Sequence, residues 1–167
     1  MELGSATPKG REVEKLSRPF FLSLEQKWNC SCIEFGHTSY SVVDGFIVKE
    51  GIIKAVYEFK LRKAEFDGSS IINRNAALYD SIKYDSVMLS KNKVDAGQQL
   101  SKMLRVPFLF ICAFSDNDKL GYIQVTDDSG NLKVPYRVKV SNMPATINGY
   151  SKVSEDCYIP VSQIKII

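Results

Sequence analysis

The stretch YSVVDGFIVKEGIIKAVYEFKL, residues 40–61, carries two runs of β-branched and aromatic residues on either side of Glu50-Gly51. Residues 40–48 read as one strand, Glu50-Gly51 as a turn, and residues 52–61 as the returning strand of a β-hairpin. Side chains alternate faces along a strand, so Glu58 and Lys60 point one way, Tyr57 and Phe59 the other. Asp44 lies on the first strand. A strict two-residue turn sets it opposite Tyr57, whereas a three-residue turn or one bulge sets it opposite Glu58 and on the same face. The spacing leaves both registers open.

Before the hairpin, residues 1–10 hold Gly, Ser, Thr and Pro without periodicity and read as a flexible tail. Val13 and Leu16 suit a turn or two of helix. Ser17 then reads as an N-cap with Pro19 in the first turn, and Phe20, Phe21, Leu24 and Trp28 form the apolar face of a helix ending near Asn29. Residues 32–35 are β-like and residues 36–39, with His37, are a turn. Beyond the hairpin, residues 63–83 read as a long loop with a helical turn at 76–79, of the kind that often carries function. Residues 87–89 are a short strand. Ser90 caps a helix whose apolar positions are Val94, Leu100, Met103 and Leu104. Residues 108–114 (FLFICAF) are a strand apolar throughout, as when both faces of a sheet are covered. Short strands follow at 122–126, 136–140 and 158–164. The order predicts an α/β fold, a mixed central β-sheet flanked by helices with extra C-terminal strands.

The chain's 167 residues, 44% hydrophobic and 25% charged, exclude a disordered, collagen-like or low-complexity protein. Residues 11–167 read as one domain, with a core at about 12–125 and a C-terminal β extension at 126–167. With 22 Lys+Arg against 19 Asp+Glu the net charge is +3, which permits a nucleic-acid partner without demanding one. Cys30, Cys32, Cys112 and Cys157 have no CxxC spacing and a single histidine cannot complete a zinc set, so reduced thiols in a cytoplasmic protein are expected. No run approaches the roughly 20 apolar residues of a membrane span. P-loop, GxGxxG and GxSxG motifs do not occur.

Asp44, Glu58 and Lys60 form the informative constellation. Two carboxylates suit a hard divalent cation that keeps several waters, and an ammonium beside them suits charge developing on a phosphate. The bland alternative is a solvated strand of alternating charges, Lys54, Glu58, Lys60 and Arg62. Glu25, on the first helix, reads as a surface residue within reach of the same sheet. Cations for a phosphate backbone are present at Arg62 and Lys63 beside the hairpin, at Lys91 and Lys93 around the second helix, and at Arg74 and Lys83 in the long loop.

An acid on one strand, a short hairpin, then Glu58-Phe59-Lys60 on the next, in the order α-β-β-β-α-β, resembles the PD-(D/E)XK nuclease superfamily with its restriction-endonuclease-like core. Residues 84–124, with VMLSKNK (87–93) and RVPFLFICAF (105–114), are similar to the strand–helix–strand half of small phage-type and Holliday-junction-resolvase-like nucleases. The likeness covers residues 12–125. Val43 stands where many members carry proline. The resemblance implies a Mg²⁺-dependent endonuclease, with Mn²⁺ as a substitute, hydrolysing DNA phosphodiesters on branched or structured DNA. It makes Asp44 and Glu58 metal ligands, Lys60 the catalytic lysine, and the Phe59 carbonyl and Glu25 further ligands; Gln98 is a weaker match to a polar active-site position. DNA and a second copy of the chain are the implied partners, and the host cytoplasm the location if a phage encodes it. The competing class is a catalytically silent module on the same fold that binds nucleic acid or protein.

Overall fold

The structure, a computed structural model, describes residues 8–35, 43–74, 82–143 and 152–167. In chain order it runs α1 (Pro8–Trp28), β1 (Ser31–Glu34), β2 (Gly45–Lys49), β3 (Ile52–Arg62), β4 (Glu65–Phe66), β5 (Ile71–Asn73), β6 (Ile82–Tyr84), β7 (Ser86–Ser90), α2 (Lys91–Leu104), β8 (Phe108–Phe114), β9 (Lys119–Gln124), β10 (Arg137–Met143), β11 (Lys152–Pro160), a 3₁₀ turn (Val161–Gln163) and β12 (Lys165–Ile166). The main sheet has the order β1-β2-β3-β8-β9-β12. Among the described residues its one parallel pair is β3 with β8, a pairing that needs a long crossover, and the crossover contains α2. β7, β10 and β11 form a second sheet, and β4, β5 and β6 a third.

Every residue of β8 is buried, because both faces of the main sheet are covered. Ala55 and Tyr57 of β3, with Leu109 and Ile111 of β8, pack under Phe20 and Leu24 of α1. The alternate residues, Val56, Phe108, Phe110 and Cys112, face Val94 of α2 and the Leu89 and Cys157 strands of the second sheet. The strand period of two thus sorts β3 into an α1 face and an α2 face.

α1 is one continuous helix through Pro19, not a short turn followed by a capped helix. Ser17 is buried and its Oγ donates to the Val13 carbonyl 2.7 Å away, so it does not cap. A proline inside a helix costs about 3 kcal/mol. Burying Phe20 and Leu24, and setting Phe21 4.3 Å from the Phe59 ring, offsets that cost. The helix also begins at Pro8, inside the stretch expected to be a tail. Residues 63–83 contain β4, β5 and β6 rather than an unpaired loop, while the helical turn expected at 76–79 and His37 lie outside the described residues.

α2 buries Val94, Gly97 and Ser101, and Met103 is 77% exposed, so the apolar stripe expected to include Met103 and Leu104 is rotated toward smaller residues. Ser90 holds the N-cap position without a side-chain capping bond. Gly97 lies directly on Phe108: a β-carbon there would stand 2.1 Å from the ring. Alanine normally gains about 1 kcal/mol over glycine in a helix. Gly97→Ala is expected instead to destabilise by about 1–3 kcal/mol through overpacking, read as a lowered urea midpoint. An unchanged or raised midpoint would contradict the close packing.

Candidate active site

The turn at Glu50-Gly51 has two residues, both with positive φ (53° and 72°), which matches the right-handed twist of the strands it joins. Lys49 therefore pairs with Ile52 and Val48 with Ile53, but Ile47 pairs with Ala55. Lys54 is an extra residue, a β-bulge. From there to the end of the hairpin the register is displaced by one, Gly45 lies opposite Tyr57, and Asp44 opposite Glu58. Of the two registers the sequence allows, the bulge selects the one that puts both carboxylates on the α2 face.

Asp44 is held from several sides. Its Oδ2 accepts the Phe59 amide at 2.8 Å, its own N–H donates to the Tyr57 carbonyl at 3.0 Å, and its carbonyl accepts the Phe35 amide at 2.8 Å. Gly45, next to it, is required by close approach: a β-carbon would stand 2.1 Å from the Ile33 carbonyl oxygen of β1. The backbone at Asp44 is thereby pinned between β1 and β3.

Glu58 is the more enclosed acid, its side chain 13% exposed. Burial, and then the nearby Asp44 charge, push its carboxyl up to about 7, against the pull of Lys93 and Lys60. Lys60 follows on the same face. Burial and the Arg62 charge pull its ammonium below the ordinary range, while Glu58 and the buried Asp156 of β11 hold it up. Asp156 accepts the hydroxyls of Ser141 and Ser154. An acid from the C-terminal strands therefore acts on the lysine of the hairpin.

Lys93, expected only as a contact for DNA, is part of the cluster. Its Nζ stands 3.0 Å from Glu58 Oε2 and 3.9 Å from Asp44 Oδ1. One cation already lies within 4 Å of both carboxylates. The sequence held a signal for this: the first turn of α2 has no acid but two lysines, Lys91 and Lys93, against the helix dipole. Such lysines need partners. Lys91 takes Asp95 one turn on, and Lys93 takes the hairpin acids.

The remaining expected site residues are placed elsewhere. Glu25 comes from α1, on the opposite face of the sheet from Glu58, and its Oε1 accepts the Cys32 amide at 2.8 Å. Gln98 donates to the Gly130 carbonyl and ties α2 to the turn after β9. Lys63 pairs with Glu12, and Arg74 makes a two-point contact with Glu65 at 3.0 and 3.1 Å. Both pairs lie at the surface, where water and salt screen them, so a phosphate can compete for either cation.

Among the described residues no three His, Cys, Asp or Glu side chains converge on one point. The groups that could hold a metal here are the Asp44 and Glu58 carboxylates, with the Phe59 carbonyl as the further ligand expected from the sequence. Mg²⁺ retains waters and takes phosphate oxygens, so one or two carboxylates meet its needs. The Lys93 ammonium stands beside both acids, 3.0 Å from Glu58 and 3.9 Å from Asp44.

Comparison with known proteins connects this geometry to a family. The family model described as a phage putative PDDEXK endonuclease matches residues 7–138, which takes in α1, the hairpin, α2 and β8. No curated protein and no solved structure matches. Among the described residues no helix is long and apolar enough to cross a membrane.

Proposed function

We propose, from its membership of the phage putative PDDEXK endonuclease family, that this chain is a Mg²⁺-dependent endonuclease acting on DNA phosphodiesters, with branched or structured DNA as its substrate. The observation that carries the proposal is the bulge-set register: Asp44 opposite Glu58, with Lys60 two residues along the same face. Asp44, Glu58 and the Phe59 carbonyl would hold the ion, and Mn²⁺ would serve in its place. Bound there, the metal would polarise the scissile phosphate and acidify a coordinated water.

The chain's own residues supply the rest. The Phe59 amide fixes the Asp44 carboxylate, so one acid is oriented before any substrate arrives. Lys60, its pKa lowered by burial, would stabilise charge developing on the phosphate oxygens. Lys93 balances the two acids and can pass to a phosphate once they are otherwise neutralised. Arg62, Lys63, Arg74 and Lys91 would carry the DNA backbone around this centre. A homodimer, with two centres for two strands, would use the exposed Val138, Val140 and Val153 on one face of β10–β11, burying about 1,000 Å² or more. If a phage encodes the chain, the host cytoplasm is its place of action.

The test is nicking of supercoiled plasmid and of a four-way junction with Mg²⁺, beside Asp44→Ala. Cleavage that needs both the metal and Asp44 is expected; metal-independent or Asp44-independent cleavage would overturn the proposal. A specific observation favours the competing reading of a silent binding module, namely the Lys93 ammonium between the acids. It separates cleanly. If Lys93 only balances charge, Lys93→Ala is expected to tighten Mn²⁺ binding about tenfold by calorimetry, because a like charge beside the ion is removed. In a silent module neither Lys93→Ala nor Asp44→Ala would change a heat of metal binding.

A further inference from the structure

A second feature lies at the Ser86 end of β7, away from the Ser90 end that leads through α2 to the acid pair. Two adjoining depressions lie along the β7-β10-β11 sheet, one of them reaching β6, and both are lined by Asp85, Ser86, Arg137 and Tyr158. Lys83, Tyr84 and Lys139 also line one of them, and Tyr136 the other. Three cations, Lys83, Arg137 and Lys139, thus face the groove with one acid, Asp85. The strand period explains the clustering: Arg137 and Lys139 share one face of β10, and Arg137 pairs across the ladder with Tyr158.

The aromatic groups are arranged for contact. Tyr84, at the end of β6, is 44% exposed, so its ring is open to a ligand. The Lys139 ammonium stands 4.9 Å from the centroid of the Tyr158 ring, and that cation–π contact holds the charge at the groove. Cations interleaved with an open aromatic face match a backbone of phosphates carrying unstacked bases. A duplex keeps its bases stacked on one another and cannot offer them to Tyr84.

We propose that this groove binds a single strand of nucleic acid, with bases stacking on Tyr84 and phosphates on Lys83, Arg137 and Lys139. The proposal rests on the nuclease reading in one respect, that it names the strand which would lead to the acid pair. β7 runs from Ser86 at the groove to Ser90 at the start of α2, four steps of about 3.3 Å, and Lys93 follows within one helical turn. A strand held in the groove would arrive at the site from that end. Structured DNA with a single-stranded arm beside a duplex would then span both surfaces.

The experiment uses the whole chain in EDTA, so that metal-dependent hydrolysis is absent, and follows the anisotropy of labelled oligo-dT, oligo-rU and a DNA duplex of equal length. Tyr84→Ala is expected to weaken oligo-dT binding about tenfold, the effect of one base stack, while Tyr84→Trp retains it. The double variant Arg137→Glu, Lys139→Glu should reduce the salt dependence of oligo-dT binding by about 1.4 in the log–log slope. Duplex affinity should change less than twofold in Tyr84→Ala. The oligo-rU arm distinguishes a groove that reads bases and phosphates alone, with equal affinities, from one that prefers DNA; either supports the assignment. Unchanged oligo-dT affinity in a Tyr84→Ala variant with a native circular dichroism spectrum would overturn it. So would equal losses on the duplex, or an acidic polypeptide bound with the same Tyr84 dependence. Absence of Mg²⁺-dependent plasmid cleavage by the unsubstituted chain, with this binding intact, would sink the nuclease reading alone.

Discussion

Glu58→Gln is expected to abolish metal-dependent cleavage while making the metal-free protein more stable. The side chain is 13% exposed and lies beside Asp44, so its charge is costly in the fold. Its folded pKa, about 7, stands above the ordinary carboxyl value of 4.5. The folded state therefore binds a proton that the unfolded state releases above pH 4.5, and the charged form penalises the fold fully only above pH 7. The substitution should raise stability at pH 8 by on the order of 2 kcal/mol, or about 5 °C in Tm, and the gain should vanish as the pH falls toward 4.5. Metal binding has the matching signature. In the unsubstituted chain the affinity for Mn²⁺ should climb with pH up to about 7 and level off above it, because the ion takes only the deprotonated carboxylate. Thermal melts at pH 5 and pH 8 beside calorimetry decide the matter. A Glu58→Gln protein less stable at pH 8, or one that binds Mn²⁺ as before, would remove Glu58 from the site.

Lys60→Met is expected to separate chemistry from metal binding. Methionine keeps most of the stem that packs along β3 and deletes the ammonium. Metal affinity should be equal or slightly higher, since a positive charge near the ion is lost. Turnover should fall by about 10²–10³, the effect of removing one donor from a developing oxyanion. Single-turnover cleavage of plasmid beside Mn²⁺ calorimetry gives both numbers, and full cleavage by Lys60→Met would leave a binding module as the better reading. Lys93→Ala provides the contrast: it too should raise metal affinity, but by removing a partner already bonded to Glu58.

The two lysines show how far the residues alone could be read. Lys60 was legible because Glu-x-Lys places two side chains on one face of any strand, whatever surrounds it. Lys93 was legible as a cation but not as a partner of Asp44 and Glu58, which are 49 and 35 positions away in the chain. Its contact depends on α2 crossing the sheet at the right height. The same limit applies to Glu25, whose spacing on a helix let it reach the sheet; α1 packs on the other face, and the acid binds the Cys32 amide instead.

By itself the sequence determined the local elements and their order. The alternation in residues 52–61, the apolar run 108–114, the Glu50-Gly51 turn and the amphipathic spacing of Phe20, Leu24 and Trp28 each specify an element through contacts a few residues long. Tertiary structure alone decided what those elements do to one another. Pro19 remains helical because burial against the sheet outweighs a local penalty. β4, β5 and β6 form a small sheet because strands two or three residues long are stable only when paired. The register of the hairpin rests on Lys54, whose bulge no propensity marks, yet that single unpaired residue moves Asp44 from the α1 face of Tyr57 to the α2 face of Glu58. A side-chain period of two makes every one-residue slip a change of face, so the pairing of the acids was settled by the packed ladder and not by their spacing in the chain.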